Sequence, residues 1–219
     1  MSTAKEYLET LYQQEPQLFS EPLKMSILVE PDLQFIEQQI GHRLPKQFVE
    51  FLTTYQLPQM TMFITFCGDL ASALYKTFSR EKNGYVLSKS EEFVVVDFTW
   101  NGMNGNCGVD YLKNFERYEL SEAWLKAGFI DIGSFYMESY LVFYDLVTEK
   151  VCFIHNEDIM EASVDWDNIT NIRTFMLENS RLLGNSFNDF LRTVCTGEPY
   201  DDEIIFLGEK IPLGTKSSS

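Results

Sequence analysis

His42 and His155 are the only imidazoles in the 219-residue chain, and neither lies in a recognisable nucleophile motif. General acid–base or nucleophilic chemistry at neutral pH draws first on histidine, on a carboxyl whose pKa is raised by burial, or on an activated thiol. Nothing resembling G-x-S-x-G occurs, and the paired carboxylates, Glu157-Asp158 and Asp201-Asp202, sit in polar runs where water holds a carboxyl near its ordinary pKa. His155, Glu157 and Asp158 form a compact nitrogen and oxygen set, but such groups in a loop read first as solvated side chains and only second as ligands. The four cysteines, Cys67, Cys107, Cys152 and Cys195, stand singly with no C-x-x-C pair. Apolar neighbours in TFCG and KVCF mark them as buried free thiols of a reducing compartment. The glycine-bearing run 101–108, NGMNGNCG, lacks the lysine of a Walker loop and the spacing of a dinucleotide-binding turn, and reads as a surface loop. No catalytic residue, metal ligand or cofactor is therefore assigned.

Charge is more informative. The chain has 33 Asp and Glu against 17 Lys and Arg, a formal net charge of -16. That field repels phosphate backbones and anionic lipid, so nucleic acid and membrane surfaces are poor partners and a basic protein is the natural electrostatic complement. Acidity for solubility alone is the competing explanation. From Glu138 to Asp167 eight acids, Glu138, Asp145, Glu149, Glu157, Asp158, Glu161, Asp165 and Asp167, face Lys150 alone. The partner-binding candidates are Glu157, Asp158, Glu161, Asp165 and Asp167, clustered in a turn-like stretch just after a strand. A second acidic cluster spans 198–203.

Positioning these acids falls to the run 128–158, which has the clearest strand signals in the chain. Residues 129–133, 140–146 and 151–154 are rich in β-branched and aromatic side chains, and the polar link 147–150 suits a hairpin. Alternation puts Leu141, Phe143 and Asp145 on one face and Tyr140, Val142, Tyr144 and Leu146 on the other. Both faces are largely apolar, so each must be covered. Covers are at hand. Ala4 to Gln14 has helical spacing through Tyr7, Leu8, Leu11 and Tyr12. Leu33, Ile36 and Ile40 mark a helix ending near Gly41, and Phe48, Phe51, Leu52 and Tyr55 mark another after Pro45. Residues 61–66, 85–88 and 93–100 read as further strands, 69–78 as a short helix, and the turns around Trp124 as a helix closed by Gly128. Beyond the centre, 157–168 reads as turn, 172–183 as helix, and Phe187, Phe190, Leu191 and Val194 as a core-facing stripe capped by Ser186 with Asp189. The expected fold is a single α+β domain with a mainly antiparallel β-sheet flanked by helices.

The run I-E-x-x-I-G-x-x-L-P-x-x-F-x-x-F-L, carried by Ile36, Glu37, Ile40, Gly41, Leu44, Pro45, Phe48, Phe51 and Leu52, resembles the opening helices of the SUKH superfamily. The strands at 129–133, 141–145 and 151–154 resemble that family's central strands, and SFNDFLRTV at 186–194 its closing helix. The matches occur in the family's order over about a third of the chain. The chain departs from the pattern at Gln56-Leu57-Pro58, where Asn-Gly is usual, and at Glu149-Lys150, where a glycine-bearing hairpin turn is usual. The second departure implies a wider turn than the two-residue types.

The resemblance implies a non-enzymatic protein-binding module: a bacterial immunity protein that neutralises a cognate toxin, a nuclease for example, by covering its active site with an acidic surface. The alternative it implies is a regulatory adaptor related to the fungal cell-wall-assembly regulators. On this reading residues 1–30 form an N-terminal helix and connector, 31–197 the SUKH-like domain, and 198–219 an acidic extension with a disordered tail. The N-terminus carries Lys5, Glu6 and Glu9 where a signal peptide needs its apolar core, and no apolar run approaches about 18 residues, so a cytoplasmic location is expected.

Overall fold

A computed structural model describes residues 3–19, 22–56, 60–67, 88–89, 93–100, 119–135 and 140–195. The expected helix at 69–78, the loop at 101–108, Glu138, and everything from 196 onward, including the acidic cluster at 198–203, lie outside the described residues.

Its centre is a seven-stranded antiparallel sheet built from β1 (Met60–Cys67), β2 (Ser88–Lys89), β3 (Phe93–Trp100), β4 (Phe129–Phe135), β5 (Tyr140–Asp145), β6 (Lys150–His155) and β7 (Arg181–Gly184). The strands lie in the order β1-β3-β4-β5-β6-β7, with β2 paired to β3. The chain is thus a single α+β domain. β5 is the middle of the sheet because nearly every one of its side chains is buried, which only a strand covered on both faces can achieve. Asp145 pairs with Lys150, so the β5–β6 link is a four-residue turn with Glu149 at φ 57, as wide as the missing glycine implies.

The two faces have different covers. Tyr140, Val142 and Tyr144 join Ile130, Val151 and Phe153 in the larger cluster, against side chains of α1 (Ala4–Gln14), α2 (Glu30–Ile40), α3 (Lys46–Thr54) and the helix Phe187–Cys195. Four aromatic rings knit this side together: Phe48 meets Tyr144 at 5.1 Å and Phe187 at 5.0 Å, and Phe51 meets Phe187 at 5.0 Å. On the opposite face Phe129, Phe143, Cys152 and Ile154 form a smaller cluster with Trp124 and Ala127, on or just after α4 (Glu119–Lys126), and with Ile172 and Met176. The last two belong to α6 (Ile169–Asn179), which follows the short helix α5 (Asn156–Glu161) and precedes α7 (Phe187–Cys195).

Helix ends follow local chemistry. Thr3 and Glu6 cap α1 reciprocally, Gly41 ends α2 at φ 73, and the Asp189 N–H donates to Ser186 Oγ at 3.1 Å at the start of α7. The sequence reading needs two corrections. The helical reading of 172–183 is right only to Asn179: Ser180 breaks the helix, and Leu183 belongs to β7, which pairs with β6. The stretch 157–168 is not all turn, because His155 caps a helix through Glu161.

β4 carries a bulge. Asp131 pairs with Phe143 but Gly133 pairs with Val142, so Ile132 is an extra residue and both Ile130 and Ile132 face the larger cluster. Gly133 is required there. A Cβ on it would stand 2.4 Å from the Thr99 carbonyl oxygen and 2.6 Å from the Phe98 ring.

Candidate functional site

α5 starts where β6 stops. The His155 side chain accepts from the Glu157 N–H at 3.2 Å, Nδ1 being the acceptor, and Glu157 and Asp158 then occupy the first turn, where carboxylates suit exposed N–H groups. The His155 ring also lies edge-on to Tyr140 at 4.6 Å, which holds the cap against the sheet. After Glu161 the chain turns toward α6. Asp165 Oδ1 accepts from the Asp167 N–H at 3.2 Å, and Asn168 Oδ1 accepts from the N–H groups of Thr170 and Asn171 to open α6. Ile159, Val164 and Trp166 pack inward on the smaller cluster, and Trp166 meets Phe175 edge-on at 5.9 Å. The five candidate acids, Glu157, Asp158, Glu161, Asp165 and Asp167, are all exposed.

The result is a ridge of carboxylates with apolar roots. No Lys or Arg occurs between Lys150 and Arg173, so nothing within the ridge's own sequence neutralises it. His155 Nδ1 lies 3.8 Å from the Glu157 carboxylate. Met160, 83% exposed, stands among the acids.

The longer acidic run does not form one patch. Glu149 lies at the other end of β6, about 17 Å away at roughly 3.3 Å per residue. Asp145 is not on the surface at all. Its carboxylate is buried and paired with both terminal nitrogens of Arg173, Nη1 to Oδ1 and Nη2 to Oδ2, each at 3.1 Å. It also accepts from the Val147 N–H at 3.0 Å and the Thr148 hydroxyl at 2.7 Å. Arg173 in turn donates to the Ala127 carbonyl at 2.6 Å and lies 4.9 Å over the Phe129 ring. Gly128, at φ 86, leaves room for this junction, and His42 donates through Nε2 to the Lys126 carbonyl at 2.8 Å beside it. Sequence reading missed the pair, although a signal existed for one half of it: alternation puts Asp145 on an apolar face.

His42 Nε2 bonds the carbonyl at the end of α4, and His155 Nδ1 accepts the Glu157 N–H as a helix cap. Cys152 and Cys195 are buried free thiols. Burial pushes Cys152 up to about 11, with the Asp145 charge adding to it, and burial pushes Cys195 higher still, so neither supplies a thiolate near neutrality. Among the described residues no group of three His, Cys, Asp or Glu side chains is arranged to hold a metal ion, and no helix is long and apolar enough to cross a membrane. What this geometry offers is a charged surface on a rigid base.

No protein-family model matches the chain, and no curated protein or solved structure matches it either.

Proposed function

We propose that the chain is a non-enzymatic protein-binding module of the SUKH kind, acting in the cytoplasm as an immunity protein that covers the basic active site of a cognate toxin. The observation that carries this reading is the ridge itself, five exposed carboxylates from Glu157 to Asp167 held by inward-facing Ile159, Val164 and Trp166. A cleft that holds a polyanion must be basic, and an acidic ridge of fixed shape occupies such a cleft without chemistry. Long-range attraction speeds the encounter, while only those carboxylates desolvated against Arg or Lys contribute strongly to the lifetime of the complex. Exposed ion pairs elsewhere on the rim add little each. Met160, exposed at the centre of the ridge, supplies the apolar contact that charge alone lacks.

The test begins with co-purification of the chain with the product of the neighbouring gene. The complex is then compared with a variant carrying Glu157→Gln, Asp158→Asn, Glu161→Gln, Asp165→Asn and Asp167→Asn. Asn at 165 still accepts the Asp167 N–H, so the turn survives. Association at low salt should slow by at least about tenfold, and the salt dependence of the on-rate should flatten. An unchanged on-rate and salt slope would remove the ridge from the interface.

A further inference from the structure

The described methionines sort sharply by burial. Met60, Met62 and Met176 are packed in the interior, whereas Met25 is 63% and Met160 83% exposed. The buried thiols of Cys152 and Cys195 are held protonated, so an oxidant finds no thiolate at either. That leaves the thioethers at the surface as the open sulfurs. The two differ in place. Met25 is bridged to Tyr55 at the end of α3, on the side of the larger cluster. Met160 stands on α5 three residues after Glu157 and next to Glu161, while Ile159 turns inward. At helical spacing Met160 is a surface neighbour of Glu157, so the sulfur lies among the carboxylates of the ridge.

We propose that Met160 is a reversible oxidation site, at which peroxide shortens the life of the complex with the basic partner. The inference rests on the ridge being the binding surface. In the reaction the thioether sulfur gives an electron pair to one peroxide oxygen, the O–O bond breaks, and the proton on the transferred oxygen passes to the departing hydroxide. Sulfur is oxidised by two electrons to the sulfoxide, and peroxide is reduced to water. Hydrogen peroxide is uncharged, so a net charge of -16 does not hold it away from the ridge. The product keeps the charge of the ridge and loses its apolar contact. A sulfoxide is polar, and burying it against the partner without a hydrogen bond costs free energy. Steering depends on charge and is untouched; the lifetime of the complex depends on close contact and falls. Methionine sulfoxide reductases return the sulfoxide to the thioether, which makes the change reversible.

The first measurement needs no partner. The full chain is treated with hydrogen peroxide and the sulfoxides are located by peptide mass spectrometry. Met160 should oxidise at least about tenfold faster than Met60, Met62 or Met176, with the circular dichroism spectrum unchanged. A Met160 as slow as those three overturns the site. For the second, the chain is oxidised, freed of peroxide and then mixed with the co-purified partner. Dissociation should be roughly tenfold faster with the low-salt on-rate unchanged, and reductase treatment should restore it. In Met160→Leu the off-rate should be the same before and after peroxide, whereas Met25→Leu should respond as the wild type does. A peroxide response that survives Met160→Leu, or one that appears in the on-rate, overturns the regulatory role. Failure of the ridge reading shows separately, as binding indifferent to the five acid substitutions.

Discussion

Asp145 shows how one side chain can mislead a count of charges and still organise a fold. In the sequence it is one of eight acids in an imbalanced run; in the structure it is buried, and its oxygens are saturated by Arg173, the Val147 N–H and Thr148. A carboxylate in that position is tolerable only with such partners, because removing it from water is expensive. Arg173→Ala strands the charge and also frees the Ala127 carbonyl. Urea denaturation should show a loss of about 3 kcal/mol, well above that for an exposed ion pair such as Lys126 with Glu122. The charge could have been placed from sequence, since alternation assigns Asp145 to an apolar face. Its partner could not, because the two are separated by 28 positions and joined only by the return of α6 across the sheet.

At the scale of elements, the strands and helices with strong periodicity were legible. β5 and β6 fall where aromatic and β-branched residues alternate, α2 ends at the glycine that marks its end, and Phe48, Phe51, Phe187 and Phe190 are core. The failures have physical causes. The short helix α5 has no amphipathic period to detect in six residues, and its cap is a histidine rather than Ser, Thr, Asp or Asn. β7 reads as a continuation of α6 because Leu182 and Leu183 extend the apolar pattern, and only pairing with β6 recruits them into the sheet. The bulge in β4 is equally silent in sequence, yet it fixes how β3 and β5 approach their neighbour. Gly133→Ala puts a methyl group into the Thr99 carbonyl, a backbone contact that cannot rotate away. A shift of the urea midpoint corresponding to roughly 2–3 kcal/mol is expected, and a value near zero would mean the β3–β4 pairing is looser than it stands.

For the whole molecule, the decisive arrangement is one sheet with unequal covers. Among the described residues α1, α2, α3 and α7 cover one face, whereas α6 and most of the inward side of α4, with the inward residues of α5 and its turn, cover the other, where the acidic ridge sits. Fold class was legible because both faces of β5 are apolar; which face would carry the ridge was not, since that depends on the path of the chain after β6. Unequal covers imply unequal resistance to opening. α6 is held mainly by Ile172, Met176 and the Arg173 pair, so it can lift from the sheet while the larger cluster stays closed. Native-state deuterium uptake should therefore divide the chain: amides of α5 and α6 exchange through a partial opening, those of β5 and α3 only on global unfolding. Arg173→Ala should speed the first group further than the second. A partner gripping the ridge would suppress that opening, so its binding would be legible as slowed exchange in α6, a helix whose inner face it never touches.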